Sequence, residues 1–573
     1  MTHVFLAFVL CFLGNEAAVP AELVGTFSAA SGSLDTTFDL DGRVTTRIPG
    51  SGDYAHAQAV AIQPDGKIVA AGWSAQLTGA AQMTLVRFNP DGSLDPTFGG
   101  DGIVTTPVAG THARAFAVAI QPDGKIVAVG DIGPPMGVVR YNPDGSLDTT
   151  FDGDGIRTIV IYNNDLAYAV AIQADGKIIV GGYGEAPFSP KNLTASWKKL
   201  LPEGHTTDFA LARLNSDGSL DRTFGNEGKV VTNIILGEVM FSLALQPDGK
   251  IVAAGGTVSY EGGGGALVRY NLNGSLDTSF GDNGIVVTDG SSSYNGVAVE
   301  PGGGIVVAGG GKGMSAARFK SNGTFDPSFG DAGRALIEFK DHPSIAYSVA
   351  LQNDGGIVLA GKTFGGDETG TFDVDFAVAR LTDRGLADLR FGNGGKLTTD
   401  FGGTEAAVAT AIQRDGRIVA AGYGDQGFTL ARYVGLDPPV RADFDGDGRT
   451  DISVYRGGQW WIKFSSAGVS LFNWGFATDK PVVGDYDGDG TDDIAVYRPS
   501  EANWYIRTVD GRFLPTVHWG AAADVPVPGD YDGDRKADPA VYRNGIWYTN
   551  GSTVGFAVTG WGVATDVPLP AKY

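Results

Sequence analysis

Cysteine occurs once in the 573 residues, at Cys11, so the chain can form no internal disulfide and its stability rests on packing alone. Charged residues make up only 19%, and the basic ones are the scarcer, with 42 Lys and Arg against 65 Asp and Glu. A net charge of −23 excludes nucleic acid and anionic membrane surfaces as natural partners and favours cations. No apolar run is long enough to span a bilayer. Histidine is rare at six residues, and no zinc-spaced pair or nucleophile elbow is present, which leaves few resources for catalysis. What is abundant is glycine, with 87 residues beside ordinary apolar content, a mixture that suits tight turns between buried strands.

The N-terminus carries one apolar run, Val4 to Leu13, followed by the small residues around Val19-Pro20-Ala21. Its length is that of a signal-peptide core, although no Lys or Arg precedes it. Residues 1–21 are therefore read as a signal peptide, and the protein as exported, extracellular or at the cell surface. Cys11 would leave with that peptide.

From there the chain repeats itself. "AVAIQPDGKIVAAG" at 59 returns as "AVAIQPDGKIVAVG" at 117, "AVAIQADGKIIVGG" at 169 and "SLALQPDGKIVAAG" at 242, with looser copies at 296, 348 and 409. Val60 and Ile62 alternate with Ala59 and Ala61, which marks a strand. Gln63-Pro64-Asp65-Gly66-Lys67 is a hairpin turn, and Ile68 to Ala71 is an apolar strand covered on both faces. A third strand such as "TLVRFN" at 84, a near-fixed link "PDGSLDPTFGGDG" at 90 and a fourth strand "IVTT" at 103 complete the unit. Four short antiparallel strands per roughly 50–70 residues is the size of one propeller blade, which buries its faces only against neighbours. The expectation is an all-β, seven-bladed β-propeller of four-stranded blades over residues 31–434. The spare link and strand "SGSLDTTFDLDGRVTT" at 31 would complete the seventh copy, which stops at Arg432-Tyr433. Asp65, Asp91, Asp95, Asp101 and their copies read as turn-forming aspartates rather than metal ligands.

These units resemble the bacterial delta-60 repeat, on the strength of "NPDGSLDxTFG" and "QPDGKIVAAG". The resemblance implies a propeller-like fold in an exported protein and no particular reaction. Strand alternation puts the repeated turns on one face. The loops that vary, chiefly Tyr183–Asp208 and Lys362–Asp375, fall on the other, together with His56, His112 and His342.

After a proline-containing linker at 435–441 the grammar changes. "ADFDGDGRTDISVYR" at 442, "GDYDGDGTDDIAVYR" at 484 and "GDYDGDRKADPAVYR" at 529 head three units in the segment 442–573, and seven of the nine tryptophans lie there. The spacing D-x-D-x-D-x-x-x-D offers the oxygens that hard Ca²⁺ prefers, with Gly448 and Gly490 at the bend. Val454 at the twelfth position, and a strand following, exclude an EF-hand. The units resemble the FG-GAP (VCBS-like) calcium loops of integrin-type propellers. That resemblance implies the ligands Asp443, Asp445, Asp447 and Asp451, then Asp485, Asp487, Asp489 and Asp493, then Asp530, Asp532, Asp534 and Asp538. The third loop departs from the pattern, with Arg535 at the bend glycine and Lys536 beside it. The tryptophans read as the core of small blades, with stacking on sugars as the alternative.

The expected function is a calcium-binding binding or adhesion scaffold without catalysis, its partner an unknown protein or glycan. A carbohydrate-binding lectin is one alternative. A secreted hydrolase or lyase with its site on the variable face is another.

Overall fold

The computed structural model describes residues 31–435 and 442–568 apart from short internal stretches, the longest being 188–204. All regular structure among them is β, and residues 31–434 form a β-propeller. The first full unit pairs Ala55–Ile62, Ile68–Ser74, Gln82–Phe88 and Ile103–Thr106 in consecutive antiparallel order. The turn at Gly66 has φ 85°, a conformation that needs glycine at low cost. The propeller holds five four-stranded sheets and one of eight strands, in which two four-stranded units are joined. Small Ala beside Val and Ile lets adjacent sheets pack closely: Ala70 and Ala57 share a core with Val419 and Ala421, so the last unit covers the first.

Closure uses the N-terminal fragment. Arg43–Thr46 pairs with Gly427–Tyr433, Val44 opposite Leu430, and Leu34 bridges to Tyr433. Asp35 binds Arg432 at 2.8 Å, the same bond that Asp95 makes to Arg87 at 2.7 Å inside the first unit. Most of these arginines also lie over the phenylalanine of their link, as Arg87 does over Phe98 at 4.6 Å and Arg432 over Phe38 at 4.7 Å. The repeated "R…SLDxTF" letters and their looser copies thus encode one ion-pair hub per unit, half-buried at Arg318–Asp326 and buried in the others. The turn aspartates make Asx turns: Lys67 N–H donates to Asp65 at 3.2 Å and Ser93 N–H to Asp91 at 3.0 Å.

The strand registers set the two faces. The "QPDGK" turn follows Ile62, while His56 lies at the far end of the same strand, opposite Trp73. The described ends of the two long insertions, Pro187 opposite His205 and Gly366 opposite Phe372, extend from the His56 end. Trp197 and the insertion tips lie outside the described residues.

The C-terminal segment forms three further sheets. The first holds Ile452–Arg456, Gln459–Lys463 and Val469–Asn473. The second and third have four strands each, centred on Ile494–Arg498 with Asn503–Arg507, and on Ala540–Arg543 with Ile546–Gly551.

Candidate metal centre

Each acidic loop enters its sheet through the same bond. The last aspartate accepts the N–H of the aromatic residue at the loop's second position: Asp451 from Phe444 at 2.8 Å, Asp493 from Tyr486 at 2.9 Å and Asp538 from Tyr531 at 2.8 Å. That bond bends the chain back and gathers the carboxylates. Oxygens of Asp443, Asp445 and Asp451 lie within 4.8 Å of one another, as do those of Asp530, Asp532 and Asp538. In the second loop the group is Asp485, Asp487 and Asp489, with Asp493 outside it. Asp447 and Asp534, and the bend positions Gly448, Gly490 and Arg535, lie outside the described residues.

The donor set fits a hard cation. Two ligands at 2.3–2.6 Å from one Ca²⁺ stand at most about 5 Å apart, and the observed spacing is within that reach. Asp493 is fully buried, and its Oδ1 has no hydrogen-bond partner. Burial first, then repulsion from Asp487, Asp485 and Asp489, push its carboxyl up to about 7 despite the bond from Tyr486. The third loop differs. Asp532 already accepts bonds from the Thr553 amide and hydroxyl, both at 2.8 Å, and from the Val554 amide at 3.2 Å. Those bonds compete with a cation for the same oxygen.

Two participants were hidden from sequence reasoning. Arg512 reaches back to the second loop, 2.8 Å from Asp487 and 3.2 Å from Asp489, and no local motif announces it. Asp492, inside the second loop, accepts the N–H groups of Ala442 (2.5 Å) and Asp443 (3.2 Å), which ties the first loop to the second. An adjacent-acid pair at 492–493 was the available sign. The tryptophans act chiefly as core: Trp460 and Trp504 are buried, while Trp461 and Trp561 are exposed.

On the propeller, five inner strands each carry a bulge residue, Gln58, Phe116, Phe241, Tyr347 and Val408, that lines a cavity of about 240 Å³ on the axis. Tyr168, at the bulge of another inner strand, packs 5.0 Å from Phe116. The three histidines do not gather. His56 stacks on Trp73 at 4.6 Å, and burial and Arg114 lower its pKa. His112 accepts the Ala81 N–H at 3.0 Å, and His342 bridges to Phe339. Among the described residues, no group of three metal-capable side chains contains a histidine. One such group, Asp375, Asp400 and Glu405, lies on the propeller itself.

Comparison with known proteins agrees with the two architectures. Residues 63–98, 121–151, 204–224 and 246–280 match the model of a domain of unknown function described as a DUF5122 beta-propeller. Residues 485–541 match an FG-GAP-like repeat. No curated protein matches the chain. Among solved structures, virginiamycin B lyase from Staphylococcus aureus is 11% identical, covers 68% of this chain and 98% of its own, and has a TM-score of 0.40. The polysaccharide lyase Uly1 is 10% identical over 67% and 90%, with a TM-score of 0.37. YCF48 bound to D1 peptide is 14% identical over 72% and 99%, with a TM-score of 0.38. No helix among the described residues is long and apolar enough to cross a membrane.

Proposed function

We propose that the protein is an exported, calcium-binding scaffold without catalysis, which holds a protein or glycan ligand on the variable face of its propeller. The observation that carries the calcium reading is the recurrence of one carboxylate cluster in three successive units, with a buried, unpartnered Asp493 oxygen in the second. Two sites are assigned. Asp443, Asp445, Asp447 and Asp451 hold the first ion, and Asp485, Asp487, Asp489 and Asp493 the second. Asp530, Asp532, Asp534 and Asp538 form a weaker third, because Asp532 is already engaged. Calcium rather than Mg²⁺ suits a loop that supplies many oxygens in a flexible arrangement.

Calcium neutralises like charges that otherwise oppose folding, so its role is to stiffen the C-terminal units. Export places the protein where free calcium is high, and the apolar run at Val4–Leu13 supports it. The propeller supplies the rigid platform, and its long insertions supply the contact surface. Isothermal titration of the full chain with Ca²⁺ and with Mg²⁺ tests the metal reading. Two calcium equivalents, lost in the double variant Asp445→Ala and Asp487→Ala, are expected. A flat titration with calcium would remove the basis for this function. A glycan array probed with and without chelator then separates a sugar ligand from a protein one.

A further inference from the structure

Tyrosines deep in the propeller have partners for their hydroxyls, and those around its axial channel have none. Tyr141 shares a hydrogen bond with Thr106, Tyr270 with Thr232 and Tyr433 with Thr399, each at 2.8 Å. Tyr168, Tyr183, Tyr347 and Tyr423 are half-buried, and none of their hydroxyls is hydrogen-bonded within the chain. Tyr168 and Tyr347 stand at the bulges of inner strands, while Tyr183 and Tyr423 pair with the starts of two inner strands, opposite Leu166 and Ala406. Partly buried hydroxyls are normally satisfied, so four open ones on one rim are donors and acceptors left for a partner outside the chain.

The same rim carries a column of side chains that crosses three units. Tyr423 tilts against His56 at 4.7 Å, His56 stacks on Trp73 at 4.6 Å, and Arg114 lies over Trp73 at 5.2 Å. Arg114 is half-buried and makes no ion pair, and its Nε is buried without a hydrogen-bond partner. Asp131, opposite it in register, accepts the Gly133 N–H at 2.9 Å instead. An arginine without a counter-charge stands out in a chain of net charge −23. The Trp73 indole and the His56 ring are likewise not hydrogen-bonded within the chain. Burial, and then Arg114, lower the His56 pKa, so its ring is neutral and can accept a hydrogen bond. The core repeats from unit to unit, but this rim does not: Asp131, Tyr183, Lys362 and Tyr423 stand where the first unit has Trp73.

We infer that this rim is a saccharide site selective for an anionic sugar, whose carboxylate or sulfate rests on Arg114 while its hydroxyls meet the open tyrosines and Trp73. The inference rests on the ligand-holding role proposed for the variable face and deepens it. A sugar brings what the rim lacks, a fringe of hydroxyls that both donate and accept. Its apolar ring face suits the aromatic pair Phe116 and Tyr168, 5.0 Å apart beside the axis. The planar guanidinium of Arg114 can hold an oxyanion through two parallel hydrogen bonds. The axial cavity just below, about 240 Å³, is smaller than the roughly 300 Å³ at which sites for drug-sized ligands begin. It has room for one ring and none for a folded partner.

A saccharide array probed with the full chain in calcium, followed by titration of the sugars bound, tests the inference. Uronates are printed beside their methyl esters, sulfated sugars beside their desulfated forms, and polyglutamate stands as an acidic peptide. Acidic sugars are expected to bind about tenfold or more tighter than their neutral counterparts, the effect of one charge-assisted hydrogen bond. The two sets of pairs tell which anion is read. Arg114→Gln should erase the preference, and Tyr168→Phe, which deletes one hydroxyl, should weaken binding about threefold. Neither side chain makes a hydrogen bond or ion pair in the chain, so unchanged melting is expected of both variants. Neutral sugars bound as tightly as acidic ones, a preference that survives Arg114→Gln, or binding of polyglutamate alone would overturn the inference. A bare array would overturn it too, whereas the scaffold reading falls only with the calcium titration.

Discussion

At the scale of single residues, the propeller depends on a carboxylate at the centre of each hub. Asp148 is buried, bound by Arg140 at 2.7 Å and by the Thr150 hydroxyl at 2.7 Å, with Lys125 at 3.5 Å. Burial alone would raise its pKa. The Thr150 bonds, Arg140 and Lys125 outweigh that and bring it down to about 2. A depressed carboxyl contributes stability in full above its unfolded pKa and loses it as the pH falls toward the folded one. The propeller should therefore lose stability between about pH 4 and about pH 2. Asp148→Asn at neutral pH leaves Arg140 buried without its counter-charge and should cost about 3–5 kcal/mol, read as a lowered denaturation midpoint. Asp144→Asn, at an exposed Asx turn nearby, should shift the midpoint far less. The acidic loops give a second residue-scale test. Arg512 neutralises Asp487 and Asp489 from an exposed position, so it competes with a cation there. Arg512→Ala should tighten calcium binding at the second loop by about threefold, the size expected for a solvent-exposed ion pair. A titration showing weaker binding would mean that Arg512 instead holds the loop open for the ion.

At the scale of elements, the strand that closes the propeller is separated from its partner by most of the chain. Arg43–Thr46 completes the sheet of Gly427–Tyr433, and Asp35 supplies the hub for Arg432. Removing residues 31–46 should expose the edge of that sheet and take the Asp35 carboxylate away from Arg432. Calorimetry of the truncated chain should show the propeller transition lowered and broadened, while Asp35→Asn alone should give a smaller shift of the same sign. An unaltered transition would show that the fragment is incidental. Much of this was legible in the letters. The copies share one strand–turn–strand grammar, and the half-unit at residue 31 matches what the copy at 409 lacks. The bulges were not legible. An extra residue such as Gln58 or Phe116 sits inside an apparent two-residue alternation, and only the pairing register reveals that it turns toward the axis. The acidic loops were legible as clusters. Their grouping was not, because hydrogen bonds from neighbouring amides decide which oxygens meet, and those donors come from elsewhere, as Thr553 does for Asp532. Arg512 escaped for the same reason, since long side chains act across hairpins that spacing does not describe.

At the scale of the whole molecule, the two parts solve the same problem in different ways. The propeller carries an ion-pair hub in each unit, which gives the link carboxylates their own counter-charges. The C-terminal units concentrate carboxylates with few bases beside them, and on the proposed reading a cation would complete their balance. Extracellular calcium modules bind with dissociation constants of about 10⁻⁴–10⁻³ M, so about 1–2 mM free calcium adds roughly 0.4–1.8 kcal/mol per site. The most direct measurement is differential scanning calorimetry of the full chain in calcium and in chelator. The predicted result is a C-terminal transition that rises with calcium and a propeller transition that stays in place. The rise should disappear in the double variant Asp445→Ala and Asp487→Ala and persist in Asp65→Ala. Identical traces in calcium and chelator would contradict the account and leave these aspartates as solvated turns.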